Sequence, residues 1–509
     1  MTTRMTTTRR LFVGAAMLAY ASVAQAETLQ EALLKAYQSN PTITAQRAAQ
    51  RATDENVPIA RSQGLPGVSA NGGVTDNLVQ ANNSFFSPSR FGNASVNVAL
   101  PIYSGGAVKN GVKAAETRVE AGRATLRSTE ANLFTNVVAA YMNVIRDEAV
   151  VGLNQQNVRV LDTNLRASRD RFQVGDLTRT DVAQSEARLA LANAQLQSAE
   201  AQLIASRETY VAVVGSPPAA LETPPALPNL PDSPQTAVTT ALDGNPTLAA
   251  ARKQRDATRY DVAVARANRL PKVNLVTGGN YTNYLGSIPS LANGQSIAGS
   301  ATSATAGVQF TLPLFQGGRP AAQVRQAEAL RSQAIENETG AERTVISQTR
   351  SAYAMWQSSL QVITSSETAV NANKLSLEGV RAENSVGTRT ILDILNAEQE
   401  LLNSQVTLVT ARRDAYVAGF ALLAAMGQAE ANDLGLEGGV LYDPTINYKR
   451  VRHKISDFGG DGEPDPVAST TADTPAQNAT VTRALDPMLD TPVDRNPALT
   501  TGKASPDRQ

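Results

Sequence analysis

The sequence predicts a mixed fold: a membrane β-barrel joined to a long α-helical coiled-coil barrel, with four strands from each chain. Three observations predict it. The chain contains one unit twice, each copy carries a strand pair with one apolar face, and each copy carries very long helical stretches with apolar residues seven apart.

The duplication is read by sliding the 509-residue chain along itself. Val98 to Gly215 falls on Phe310 to Gly427 at a shift of 212, without a gap. Leu100-Pro101 meets Leu312-Pro313, Gly105-Gly106 meets Gly317-Gly318, and Asp181 and Glu186 meet Asp393 and Glu398. Upstream, Asn40-Pro41-Thr42 matches Asn245-Pro246-Thr247 at a shift of 205. The units are 27–215 and 235–427, joined by a Pro-rich linker at 216–234. An extension follows at 428–455, and the Asp-, Pro-, Thr- and Ala-rich stretch 456–509 is expected to be a disordered tail.

The first residues set the address. Arg4, Arg9 and Arg10 precede an apolar run from Leu11 to Tyr20 and then Ala24-Gln25-Ala26, which reads as a signal peptide over 1–26. The whole chain has 46 basic and 46 acidic side chains, and loss of that segment leaves 43 against 46, a net of −3. That balance gives no electrostatic case for nucleic acid. There is no cysteine, so disulfides and thiolate metal sites are excluded. No later run approaches the length of a membrane helix, so an exported chain of this kind is either periplasmic or a β-barrel.

Each unit opens with a helix, broken at Asn40-Pro41 in the first copy. Strands are expected at about 66–75 and 94–103, and again at about 271–282 and 303–315. Val96, Val98, Leu100 and Ile102 alternate with Ser95, Asn97, Ala99 and Pro101, as expected for lipid on one face and water on the other. A soluble sandwich hairpin has the same alternation; the export signal and the helices separate the two. Four strands cannot close, and an open edge cannot stand in lipid. Two chains would give eight strands, too narrow for a duct; three would give twelve. The aromatics Phe85, Phe86, Tyr281 and Tyr284 are candidates for an interfacial girdle or for loop packing.

Helical hairpins are expected at 107–214 and 319–427. Val137, Val144, Val151, Val158, Leu165 and Phe172 step by seven, and so do Ile394, Leu401, Leu408, Ala415 and Leu422. Strict sevens specify left-handed coiled-coil packing, and the polar positions between them suit a hollow wall. The returning helix and the first helix of a unit, stacked end to end, would match the one long helix at roughly 110 Å.

Ser385-Val386-Gly387-Thr388-Arg389-Thr390-Ile391-Leu392-Asp393-Ile394-Leu395, and the similar Phe172-Gln173-Val174-Gly175-Asp176-Leu177-Thr178-Arg179-Thr180-Asp181-Val182, resemble the periplasmic tips of the TolC family of outer-membrane efflux proteins. The resemblance covers about residues 28 to 427. It implies a homotrimer with a twelve-stranded barrel among outer-membrane lipids and a helical barrel in the periplasm. It also implies a periplasmic adaptor (membrane fusion) protein and an inner-membrane transporter of the ABC or RND type as partners. The function it implies is passive conduction for tripartite efflux or type I secretion, gated at the tip and using no cofactor.

By the same resemblance Arg389 would tether its hairpin to the neighbouring one through Thr180 and Asp181, holding the pore closed. The plain alternative is a solvated ion pair, about 0–1 kcal/mol when exposed. Asp393, repeated by symmetry, would form a carboxylate ring able to bind polyvalent cations, or it would simply be a first-turn helix acid. The family tip often has Tyr where this chain has Asn384, and a second ring carboxylate where it has Asn396. Val174-Gly175 and Val386-Gly387 would be the tips that dock the adaptor; as bare sequence they are helix-hairpin turns. His453 is the only histidine, so no catalytic triad and no zinc cluster can be built. The rival readings are a stalked porin or adhesin acting without an inner-membrane partner, and a soluble periplasmic scaffold.

Overall fold

The computed structural model describes residues 26–79, 88–288, 298–436 and 441–490. The signal peptide up to residue 25 lies outside the described residues, as do Phe85 and Phe86. The first unit holds α1 (Leu29–Ser39), α2 (Pro41–Asp54), α3 (Asn56–Ser62), β1 (Gly67–Asp76), β2 (Arg90–Tyr103), α4 (Ala107–Gln173) and α5 (Arg179–Val214). The second holds α6 (Pro234–Gly244), α7 (Pro246–Ala267), β3 (Lys272–Asn283), β4 (Ser300–Thr311), α8 (Arg319–Ser385) and α9 (Ile391–Met426), followed by α10 (Thr445–Val451).

The strands form one antiparallel sheet in the order β1-β2-β3-β4. Its register places Val68 opposite Val98, Leu100 opposite Leu275, Leu275 opposite Val308, and Val273 opposite Phe310. Ser69 faces Asn97, and Asn280 faces both Ser95 and Ser303. Directly paired residues share a face, so all four strands put their apolar side chains on one side and their amides and hydroxyls on the other. The apolar side is uncovered: Val68, Val74, Val308 and Phe310 are each at least 62% exposed. β1 and β4 are both unpaired at their outer edges. β4 stops at Thr311, short of the expected 315, because its one partner, β3, begins opposite it at Lys272, just after Pro271.

Both α4 and α8 have 67 residues, roughly 100 Å of helix, and both α5 and α9 have 36. The stripe of sevens on α9 is buried throughout. On α4 it is buried from Val137 to Leu165 except for half-buried Val158, and Phe172 at the end is exposed. α4 lies between α5 and α9 in its lower part and between α2 and α7 in its upper part, with α8 beyond α7 and α9.

Two asparagines splice the shorter helices end to end. Asn40 accepts from the N–H of Thr42 at 2.8 Å, capping α2, and its amide donates to the carbonyl of Val213 at 2.7 Å, in the last turn of α5. Asn245 accepts from the N–H groups of Thr247 and Leu248 and donates to the carbonyl of Ala425 at 2.9 Å, joining α7 to α9. Each side chain satisfies donors at one helix start and an orphan acceptor at another helix end. Gly427, at φ +75°, ends α9 so closely that an added Cβ would sit 2.3 Å from the carbonyl oxygen of Gly244. The wall is therefore one long helix beside two stacked shorter ones, twice in the chain.

A belt of large side chains surrounds both joints: Tyr37, Phe134, Tyr141, Tyr210, Leu248 and Phe420 belong to one buried cluster. The Tyr141 hydroxyl donates to the carbonyls of Glu27 and Glu222, each at 2.8 Å, pinning the segment before α1 and the linker to α4. The expectation of a disordered tail from residue 456 does not hold for residues 477–490, which pack against the helices and bury Leu489. Residues 491–509 lie outside the described residues.

Asn245→Ala removes a cap and a donor together and is expected to lower stability by about 2 kcal/mol, whereas Asn245→Asp keeps the cap and loses about 1 kcal/mol. Thermal unfolding of the detergent-extracted protein, followed by far-ultraviolet circular dichroism, checks the order; equal losses would mean that the cap adds nothing, and native stability of Asn245→Asp that the donor adds nothing.

Candidate functional site: the tips of the helical hairpins

Each hairpin turns on a glycine that must be left-handed: Gly175 at φ +87° and Gly387 at φ +83°. Nothing lies within 4 Å of an added Cβ at either, so backbone conformation alone fixes the residue. The valines before them, Val174 and Val386, are 64% and 75% exposed. Both returning helices then start on the same capping box. Thr178 and Asp181 cap α5 reciprocally, and 212 positions on Thr390 and Asp393 cap α9. Asp393 accepts from the Thr390 N–H at 2.9 Å and the Thr390 hydroxyl at 2.8 Å. Those bonds from Thr390, helped by the nearby Arg389 guanidinium, hold its carboxyl below the ordinary aspartate range. The first-turn role of Asp393 is thus realised.

Arg389 differs from expectation. Its Nε donates to Glu383 at 2.8 Å, and its guanidinium stands 4.0 Å from Asp393, so it is bound within its own hairpin. The Asp181 carboxylate is taken by the N–H and hydroxyl of Thr178 at 2.9 and 2.7 Å. Neither Thr180 nor Asp181 receives Arg389 within this chain: Glu383 takes the guanidinium, and Thr178 takes the Asp181 carboxylate. Asn384 is buried and donates to the carbonyl of Arg389 at 2.7 Å, which braces the turn from inside.

The hairpins are instead tied by a pair not anticipated from sequence. Arg188 on α5 donates to Asn396 on α9 at 2.8 Å. Higher up, Asn164 of α4 donates to both oxygens of Glu398 at 3.0 Å, and Arg381 of α8 reaches the same carboxylate at 3.2 Å. Burial pushes the Glu398 carboxyl above its ordinary value, against the pull of Arg381 and Asn164. The repeat shows why sequence did not reveal this. Arg169 and Glu186 are the copies of Arg381 and Glu398 and also pair, at 2.7 Å, but both are at least half exposed. Only the second pair has a third helix laid over it.

Among the described residues no group of three or more His, Cys, Asp or Glu side chains could hold a metal ion, and no helix is long and apolar enough to cross a membrane. A carboxylate ring at Asp393 requires further copies of the chain.

The outer membrane efflux protein family matches residues 32–216 and 237–428, one match to each copy of the unit. The outer membrane efflux protein BepC of Brucella suis is 33% identical over 431 residues, covering 85% of this chain and 92% of the relative. The outer membrane protein TolC of Escherichia coli is 27% identical over 477 residues, covering 91% and 96%. Among solved structures, the Campylobacter jejuni CmeC outer membrane channel superposes with a TM-score of 0.69 at 16% identity, covering 84% of this chain and 89% of that one.

Two carboxylates near the tip titrate in opposite senses. Glu398, with a raised native value, loses stability as pH rises from about 4.3 through that value; Asp393, with a lowered one, loses its contribution as pH falls from about 3.9. Melting temperature against pH checks this: Glu398→Gln should abolish the first slope and Asp393→Asn the second.

Proposed function

The chain belongs to the outer membrane efflux protein family, and from that premise we propose that three copies close into one duct, gated at the hairpin tips. Members of the family are channels of the Gram-negative outer membrane, and this chain is an exit duct for efflux or secretion, its helical part lying in the periplasm. The observation that carries the closed ring is the four-stranded sheet with an uncovered apolar face and two open edges. Lipid cannot satisfy the edge N–H and C=O groups, so β1 of one copy pairs with β4 of the next, giving twelve strands from a homotrimer.

The repeat supports the same closure among the helices. Within one chain α4 packs on α9, and the shift of 212 turns that contact into α8 of one copy packing on α5 of the next. Asn164 against Glu398 becomes Ser376 against Glu186, covering the exposed Arg169–Glu186 pair. Outer-membrane lipid then wets the apolar face of the barrel. A periplasmic adaptor docks at Val174-Gly175 and Val386-Gly387, whose valines are presented to solvent. An inner-membrane transporter of the ABC or RND type drives substrate into the lumen, and Asp393 contributes three carboxylates to a cation-binding ring at the constriction.

At the gate we assign the link between hairpins to Arg188 and Asn396. Arg389, Asn384 and Asp393 shape the second tip, while Thr180 and Asp181 start the returning helix of the first.

Two measurements test this reading. Oxidised membranes of a Glu186→Cys, Ser376→Cys chain should yield linked dimers and closed trimers; exclusively monomeric protein would sink the trimer. In planar bilayers Arg188→Ala should raise single-channel conductance more than Arg389→Ala does, and trivalent cations on the periplasmic side should block the native channel but not Asp393→Asn. Large currents insensitive to all three would favour an ungated porin.

A further inference from the structure

Residues 478–490 cross all four helices of the lower wall. The segment begins at a buried ion pair between Arg207 of α5 and Glu148 of α4. Arg207 donates to the backbone carbonyls of Asn478 and Thr480, both at 2.7 Å, and the Thr482 hydroxyl donates to Glu148 at 3.1 Å. A buried pair is costly unless its spare donors and acceptors are met, and here the tail helps to meet them.

Further on, Leu485 lies over Gly152 of α4, where an added Cβ would be 3.1 Å from its methyl, so the glycine is the seat for this leucine. Asp486 accepts from Arg412 of α9 at 2.7 Å. At the end Leu489 is 2% exposed, packed in the cluster that α4, α8 and α9 share. Gln405 of α9 donates to its carbonyl at 2.7 Å, and Lys374 of α8 donates to that of Met488. The segment therefore binds the hairpin α4/α5 at one end and α8/α9 at the other.

We propose that residues 478–490 are a strap that fastens the two helical hairpins of a protomer together and restrains their movement when the tips open. The inference rests on the gated-duct reading above. Opening moves one hairpin against the other, and a chain bonded to both must be released or stretched as they part. Arg207, Lys374 and Gln405 bond tail carbonyls, so its seat depends on the backbone and on two leucines as well as on the Asp486–Arg412 ion pair.

The test uses the full chain, which has no native cysteine. Leu489→Glu drives a charge into the buried seat; protease should then cut the tail in otherwise intact protein, and open-channel events should become several-fold more frequent. Adding Gly152→Cys and Leu485→Cys lets a disulfide refasten the tail, which should restore native behaviour on oxidation and lose it on reduction. Native gating in a Leu489→Glu channel whose tail is freely cut would overturn the restraint. Failure of the two cysteines to join in a chain that keeps Leu489 would overturn the seat. A chain that forms the disulfide but never conducts would count against the duct itself, and with it the restraint, while leaving the tail where it is placed.

Discussion

An unpaired backbone amide in hydrocarbon costs several kcal/mol, and a four-stranded sheet carries a row of them on each edge. Much else in the molecule answers to that constraint. The strands cannot serve alone, so the chain is built as a segment of a ring. Its helical wall has the same property, with α8 and the α5 and α2 side left as raw edges. Barrel and wall are thus incomplete in the same way, and in the proposed trimer the same neighbour completes both.

Duplication gives the ring a pseudo-symmetry finer than the number of chains in it. In the proposed trimer one sequence unit meets two environments, a contact inside the protomer and a contact between protomers. Arg381 with Glu398 and Arg169 with Glu186 are the same pair at those two places. The inner one has become a buried junction under Asn164. The tips have diverged further: position 384 is a buried asparagine that braces its turn, whereas its copy, Phe172, is exposed. The two hairpins are therefore one design with two specialisations.

Much of this was legible in the sequence because it is periodic. Apolar residues seven apart on α9 are buried, and alternation in β2 and β4 matches the apolar face that the register assembles. The tip turns were legible because glycine is the residue for a left-handed position, and the capping boxes because threonine and aspartate stand three apart. What escaped has no period. Arg188 meets Asn396 across two helices that are distant in sequence and both polar at those positions. Arg389 had an acid six residues back, across its own hairpin turn at the end of α8, and that nearer partner won. The tail reads as disordered because its composition is Asp-, Pro- and Thr-rich, yet it is held in part through carbonyls, which every residue type possesses.

The splices at Asn40 and Asn245 sit within one belt of aromatic and aliphatic side chains. At that level the stacked columns are jointed while α4 and α8 run through unbroken. A twist applied at the tips therefore reaches the membrane end along two continuous rods per protomer, and the jointed columns beside them transmit little torque. The belt is thus the level at which α5 meets α2 and α9 meets α7, so any change of angle within those columns has its pivot there, beside rods that stay straight.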